Sequence, residues 1–112
     1  MEIRDRLLGN VAIVELNGRL TINDQPGQLH RAVSSMIDRG AQHVLLDLAN
    51  VPYIDSTRLG ELIAAHVSVT RGGGRLGLIG APARIVGLLA MAGLGDIFER
   101  FDSIDAAVAV LE

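Results

Sequence analysis

The segment from His43 to Leu48, HVLLDL, constrains the fold most, because it is a short apolar run between two stretches with helical spacing. Turn residues follow it at Asn50 and Pro52. A run of this length and composition is typical of a strand that is covered on both faces. A central strand is therefore predicted here, with helices packed on the sheet that contains it.

Amphipathic helices are predicted on either side of this strand. The first ends near Gly40, and its apolar positions have helical spacing: Leu29, Ala32, Val33, Met36 and Ile37. The second is predicted from Ser56 to Arg71, where a run of three glycines ends it. Its apolar stripe comprises Leu59, Leu62, Ile63, His66 and Val67. Strands joined through helices need crossover connections, which favours a parallel sheet.

A hairpin is predicted at the N-terminal end. Apolar and polar residues roughly alternate over residues 3–7 and 11–17, and Gly9-Asn10 between them is typical of a tight turn. The first of these two strands is expected at an edge of the sheet. The segment from Leu20 to Pro26 contains Thr, Asn, Asp and Pro, and it is predicted to be the loop that leads into the first helix.

The C-terminal part of the sequence predicts two more strands and two more helices. Leu76 to Ile79 is predicted as a strand, and Pro82 suits the start of a third helix that ends at Gly93. The apolar segment of this helix is interpreted as core packing. A short strand is predicted over residues 98–101, followed by a last helix over residues 103–111 that Ser103 caps.

The predicted order is ββαβαβαβα, which is an α/β fold. The 112 residues favour one domain, 1–112, because chains of roughly 100 to 200 residues usually fold around a single core. The expected architecture is a mixed, mostly parallel sheet with an N-terminal antiparallel hairpin, packed by about four α-helices.

Composition excludes several classes of function. The absence of cysteine excludes disulfides, Cys-ligated metals and thiol catalysis, and it favours a cytoplasmic location. All ten basic residues are arginine, so no lysine can form a Schiff base or bind phosphate in a P-loop. A net charge of −3 disfavours nucleic acid as a partner. The longest stretch without a polar side chain has 11 residues, which is short of the ~20 that membrane insertion requires.

Three other patterns give weak functional signals. His30, His43 and His66 lie on different predicted elements without metal-binding spacing, so no metal site is expected. The glycine run after Arg71 precedes a strand, whereas phosphate-binding glycine loops precede a helix, so it is interpreted as a connection. Asp47 and Asp55 are candidates for an acid–base pair, but no substrate pocket is evident around them, and catalytic residues and cofactors are not expected.

The most informative segment is VPYIDSTRLGEL, residues 51–62, because it places Asp55, Ser56 and Thr57 where a loop meets the start of a helix. A hydroxyl at such a position lies beside backbone N–H groups that lack helical partners. It can cap the helix, which has no functional consequence, or it can accept a phosphoryl group that these N–H groups and the helix dipole accommodate. Spacing alone favours the capping interpretation and leaves the phosphoryl acceptor open as the alternative.

The segment VLLDLANVPYIDSTRLGEL resembles the signature of STAS domains, in particular the anti-sigma-factor antagonists of bacteria, in which an aspartate and a serine precede Ser or Thr, Gly, Leu and Gly. VAIVELNGRL, RGGGRLGLIGAPARIVGLLAMAGL and IFERFDSIDAAVAVL are also similar to the corresponding parts of that family. The resemblance thus covers nearly the whole chain.

The resemblance implies a regulatory binding protein and not an enzyme. In that family the unphosphorylated protein binds an anti-sigma factor, which is itself a serine kinase, and so releases the sigma factor. Phosphorylation abolishes the binding, and a PP2C-type phosphatase restores it. The matching phosphorylation site is Ser56, and Thr57 is the less favoured acceptor.

The partner-binding residues expected from this resemblance and from the predicted helix start are Asp55, Ser56, Thr57, Arg58, Glu61 and Thr21. Arg58 stands where the family usually has Gly, and an exposed arginine there could pair with the phosphate or obstruct the kinase. Thr21 stands close to where the family commonly carries an acidic residue. Two alternatives remain open, since STAS domains also serve as scaffold subunits of stress-signalling complexes and as accessory subunits of lipid-transporting ABC systems.

Overall fold

The structure is a computed structural model that describes residues 2–18 and 27–111. The predicted loop from Leu20 to Pro26, which includes Thr21, lies outside these residues. The described residues form five strands: β1 (Glu2–Leu8), β2 (Val11–Asn17), β3 (His43–Asn50), β4 (Leu76–Ile79) and β5 (Glu99–Phe101). They also form four helices: α1 (Gln28–Asp38), α2 (Ser56–Arg71), α3 (Ala83–Met91) and α4 (Ile104–Leu111). The predicted element order is confirmed.

The strands form one sheet in the order β1-β2-β3-β4-β5. The hairpin of β1 and β2 is antiparallel, whereas β3, β4 and β5 each run parallel to the strand before them. The predicted central strand is therefore β3, and the predicted edge strand is β1. Charged side chains alternate along this edge at Glu2, Arg4 and Arg6, a pattern that discourages pairing with another sheet.

Helices cover the two faces of the sheet unequally. The larger core lies beneath α1, α2 and α3, and its fully buried members include Leu16, Leu29, Leu46, Leu62 and Ile85. On the opposite face α4 packs against β3, β4 and β5. The smaller core there contains Val11, Ile13, Leu45, Ile79, Ala107 and Leu111. Because β3 has both faces covered, its sequence is nearly continuous in apolar residues.

The glycine run after α2 forms the predicted connection into β4. Gly73 has a φ of 82°, in the region where side chains are disfavoured. A Cβ atom on Gly74 would collide with the backbone carbonyl of Gln42. Gly73 and Gly74 are thus required for steric reasons in the turn that follows α2 and leads into β4.

An ion pair connects Arg75, the residue before β4, to Glu99 at the start of β5. The Arg75 Nε atom donates a hydrogen bond to Glu99 Oε2 at 2.9 Å, and this hydrogen bond lowers the pKa of the Glu99 carboxyl. A lowered pKa in the folded state stabilises the protein above the unfolded-state pKa, and this contribution is lost as the pH falls through the folded-state pKa. We therefore expect the stability of wild-type protein to fall more than that of Glu99→Gln as the pH drops from about 5 to about 3. Urea denaturation across this range tests this, and parallel pH profiles would contradict it.

Candidate functional site

The loop between β3 and α2 is anchored by buried side chains at both of its ends. The Val51 N–H donates to the Leu48 carbonyl at 3.0 Å, which turns the chain sharply after the strand. Val51 and Ile54 are both buried in the larger core. Asp55 and Ser56 follow Ile54 directly, so the packing of Ile54 in the core fixes the position at which α2 begins.

Asp55 is the N-cap of α2. Its Oδ1 atom accepts a hydrogen bond from the Arg58 backbone N–H at 2.8 Å, and its carbonyl accepts one from the Leu59 N–H at 2.9 Å. Ser56 is therefore the first helical residue, and its hydroxyl is not the cap. The capping interpretation of this segment is correct for Asp55, and Ser56 is left available for another role.

The hydroxyl groups of Ser56 and Thr57 lie on the exposed first turn of α2. The first N–H groups of a helix have no partner within the helix, and together with the helix dipole they favour negative charge nearby. α2 has 16 residues, so it is long enough for its peptide dipoles to add up to a helix dipole. A phosphate on Ser56 would lie beside this N-terminus, but it would also lie beside the Asp55 carboxylate.

Arg58 is buried, and the expectation that it is exposed beside Ser56 is wrong. Only 3% of the residue is exposed. Its Nη1 atom forms an ion pair with Glu61 Oε2 one turn along the helix, and 15% of the Glu61 side chain is exposed. Positions two apart on a helix point in different directions, so Arg58 faces inward where Ser56 faces outward. The guanidinium is thus held by Glu61, away from the solvent side of the first turn.

The Glu61 carboxylate is only partly satisfied in this pair. Its Oε1 atom is buried and has no hydrogen-bond partner. Glu61 was expected at the exposed start of α2, but most of its side chain is covered. The pair of Arg58 and Glu61 is thus mostly covered and is not part of the exposed surface of the first turn of α2.

An open groove of ≈ 490 Å³ lies directly beside Ser56. It is lined by residues of the β3–α2 loop, of α2 and of the end of α3: Tyr53, Ile54, Asp55, Ser56, Leu59, Leu88, Met91 and Ala92. We call it the Ser56 groove. Met91 at its rim is 88% exposed, which is unusual for a large apolar side chain. The sequence did not predict that α3 contributes to the site; Met91 at the end of an apolar helix was the available signal.

Other candidate residues lie apart from the Ser56 groove. Asp47 lines a different surface depression, with Asp102 and Asp105, so Asp47 and Asp55 do not share a pocket. His43 Nδ1 accepts a hydrogen bond from the Arg75 backbone N–H at 3.0 Å, and the His66 ring packs edge-on against Phe98. Within residues 2–18 and 27–111, no three His, Asp or Glu residues are grouped so that they could bind a metal. Thr21 lies outside the residues described.

The cap predicts a measurable contribution of Asp55 to stability. Asp55→Ala removes the acceptor for the Arg58 N–H, and we expect the free energy of unfolding to fall by about 1 kcal/mol. Asp55→Asn keeps an acceptor oxygen and should stay within a few tenths of wild type. Urea denaturation of the three proteins measures the difference. Equal stability of Asp55→Ala and wild type would contradict the capping role.

The sequence matches a family model described as "Mlab, STAS domain" over residues 3–100. In the part of the chain that the structure describes, no helix is long and apolar enough to cross a bilayer. The residues that the family model matches include α1, α2, α3 and all five strands, apart from Glu2 in β1 and Phe101 in β5.

Curated relatives are anti-sigma factor antagonists. The anti-sigma-B factor antagonist of Staphylococcus epidermidis is 31% identical over 84 residues, which cover 75% of this chain and 77% of that protein. The anti-sigma F factor antagonist of Paenibacillus polymyxa is 26% identical over 102 residues, covering 91% of this chain and 87% of that protein. Both relatives align along most of their own length.

The fold is shared with the anti-sigma factor antagonist SpoIIAA of Bacillus, whose structure is known in unphosphorylated and phosphorylated forms. The unphosphorylated form superposes with a TM-score of 0.81 at 15% identity, covering 97% of this chain and 96% of that chain. Family model, curated relatives and fold agree with one another, and the chain belongs to the STAS domain family; the two curated relatives above are anti-sigma factor antagonists.

Proposed function

We propose that this protein is a cytoplasmic anti-sigma factor antagonist whose binding surface is the Ser56 groove together with the first turn of α2. Its unphosphorylated form binds an anti-sigma factor and thereby releases a sigma factor. The observation that carries the proposal is the position of Ser56, which is exposed at the first helical residue and lies on the edge of an open apolar groove. Two curated relatives that are named as antagonists of this kind support it.

The groove supplies the apolar contact that a stable complex needs. Apolar side chains from three segments line it, and the interface cores of protein complexes are usually apolar and poor in charge. The exposed Ser56 lines the groove, and the exposed Thr57 follows it in the same helical turn, which suits the polar rim of an interface. A partner that covers the groove therefore has to cover the Ser56 hydroxyl as well.

Phosphorylation would act directly on this surface. The Ser56 oxygen attacks the γ-phosphorus of ATP in the kinase site of the anti-sigma factor; the new P–O bond replaces the bond to ADP, and the hydroxyl proton goes to a base of the kinase. The product carries about −1.5 to −2 charges beside Asp55. This charge would have to be desolvated when a partner covers the groove, so the complex dissociates.

The buried pair of Arg58 and Glu61 leaves this switch intact. An exposed arginine could have neutralised the phosphate through a bidentate contact. In this protein the guanidinium pairs with Glu61 inside the structure. Arg58 and Glu61 thus act from beneath the surface, by supporting the first turn of α2, whereas Asp55, Ser56 and Thr57 contact the partner. A PP2C-type phosphatase would restore binding by hydrolysing the phosphate ester.

The second candidate is the accessory role in a lipid-transporting ABC system that STAS domains also have, since the matched family model names a STAS domain and not an antagonist. Capture from a lysate of the native organism distinguishes the two. Tagged wild-type and Ser56→Asp proteins serve as baits, and bound proteins are identified by mass spectrometry. An anti-sigma factor that wild type retains and Ser56→Asp loses is the expected result. Recovery of ABC transporter subunits by both baits would contradict the proposal, and so would a large particle of STAS proteins that does not depend on Ser56.

A further inference from the structure

We infer that Met91 is a site of reversible oxidation that weakens partner binding at the Ser56 groove independently of phosphorylation. Met91 ends α3, lines the groove with Leu59 and Leu88, and is 88% exposed. The inference rests on the proposed function, since the groove is taken as the surface that the anti-sigma factor covers. Oxidation of Met91 would be a second modification of that surface, besides phosphorylation of Ser56.

Exposure makes Met91 selectively reactive. An oxidant must reach the sulfur atom, and accessible methionines are oxidised to the sulfoxide. Met36, the other methionine in the described part of the chain, is fully buried in the larger core, at 0% exposed. Folded protein is therefore expected to react at Met91, and Met36 serves as an internal control for unfolding.

The chemistry needs a two-electron oxidant, and we name a peroxide. The Met91 sulfur attacks one oxygen of hydrogen peroxide; the S–O bond forms as the O–O bond breaks. The displaced hydroxide takes up the proton of the transferred oxygen and leaves as water. Sulfur loses two electrons and the peroxide gains them. The sulfoxide is reversible, because methionine sulfoxide reductases return it to the thioether.

The product changes the groove from apolar to polar at its rim. A thioether is flexible and polarizable, and it packs well against irregular apolar surfaces. A sulfoxide oxygen accepts hydrogen bonds from water and loses them when a partner covers it. Covering a large apolar side chain favours association, so its conversion to a polar one is expected to weaken binding about tenfold or more.

Two variants test the mechanism without oxidant. Met91→Leu keeps the apolar volume and cannot form a sulfoxide, so its affinity for the anti-sigma factor after peroxide treatment should equal its own affinity before treatment. Met91→Gln places a polar group at the same position and should bind about tenfold more weakly without any peroxide. Position 91 is exposed at the end of α3, so neither variant should lose stability.

The experiment measures affinity by titration calorimetry, with the anti-sigma factor captured by wild-type protein as the probe. Wild type is measured untreated, after hydrogen peroxide, and after methionine sulfoxide reductase, and peptide mapping reports the oxidation of Met91 and Met36. The expected result is a tenfold loss of affinity that follows Met91 sulfoxide, returns after reduction and is absent in Met91→Leu. An unchanged affinity with Met91 fully oxidised and Met36 intact would overturn the inference, and so would oxidation that spares Met91. Untreated wild type that binds no anti-sigma factor would instead refute the proposed function.

Discussion

Ser56→Asp is expected to weaken binding of the anti-sigma factor about 100-fold, whereas Ser56→Ala binds like wild type. The aspartate adds a permanent charge at the exposed first turn of α2, beside the Asp55 carboxylate and at the edge of the Ser56 groove. A partner that covers this surface has to desolvate that charge. Titration calorimetry with the purified anti-sigma factor measures all three affinities.

A matched control separates the effect of the position of the charge from the effect of the change in net charge. Ser68 is exposed on α2, roughly three turns beyond Ser56, so Ser68→Asp adds the same charge to the same helix away from the groove. We expect Ser68→Asp to bind like wild type. Equal losses in Ser56→Asp and Ser68→Asp would mean that net charge, and not the groove, governs binding.

Ser56→Asp is also expected to be as stable as wild type. Because Asp55 already provides the cap, the new carboxylate does not act as a substitute cap at position 56. It lies in the first turn, where the helix dipole favours an acidic side chain by a few tenths of a kcal/mol. A loss of binding by this variant therefore reports on the interface.

The largest effect on stability is expected from Arg58→Met, at about 3 kcal/mol. The substitution removes the guanidinium that pairs with Glu61 and leaves a carboxylate that is mostly covered, with one buried oxygen that already lacks a hydrogen bond. Removing one partner of a buried ion pair destabilises the protein because the remaining charge is buried without an opposite charge beside it. Urea denaturation at pH 7 measures the change.

Two further variants define the cause. Arg58→Met combined with Glu61→Gln removes both charges, and we expect it to recover to within about 1 kcal/mol of wild type, since a neutral amide is less costly to bury than a carboxylate. Arg71→Met makes the same exchange at an exposed position of α2 and should change stability by less than about 0.5 kcal/mol. If Arg58→Met is no more destabilising than Arg71→Met, the buried pair contributes nothing to stability.

Most of the fold was predictable because local patterns and tertiary packing agree. The continuous apolar run of β3 reflects its two covered faces, and the Gly9-Asn10 turn fixes the hairpin. In α2 the residues buried most deeply are Arg58, Leu62, Ala65 and Val69. The predicted stripe shares only Leu62 with this set. Its Leu59 and Ile63 pack at the edge of the core and its Val67 is exposed, whereas the buried Ala65 and Val69 lie outside it. The spacing of Leu62, Ala65 and Val69 points to position 58 as the next inward residue.

The candidate site was only partly predictable, because some of its features depend on tertiary packing and not on local sequence. Asp55 and Ser56 could be located from their position before a helical pattern, since caps follow local rules. The burial of Arg58 could not, because arginine is usually exposed and only its pairing with Glu61 makes the inward position tolerable. The contribution of α3 depends on tertiary packing, which brings Leu88 and Met91 beside Ser56 from a distant part of the sequence.

The most direct test of the central claim is the site and effect of phosphorylation. Purified protein is incubated with its anti-sigma factor and ATP, the modified residue is located by peptide mass spectrometry, and the complex is followed by size-exclusion chromatography. We predict a single phosphoryl group on Ser56, none on Ser56→Ala, and dissociation of the complex in step with modification. Phosphate on another residue, or a phosphorylated Ser56 form that stays bound with unchanged affinity, would contradict the proposed switch.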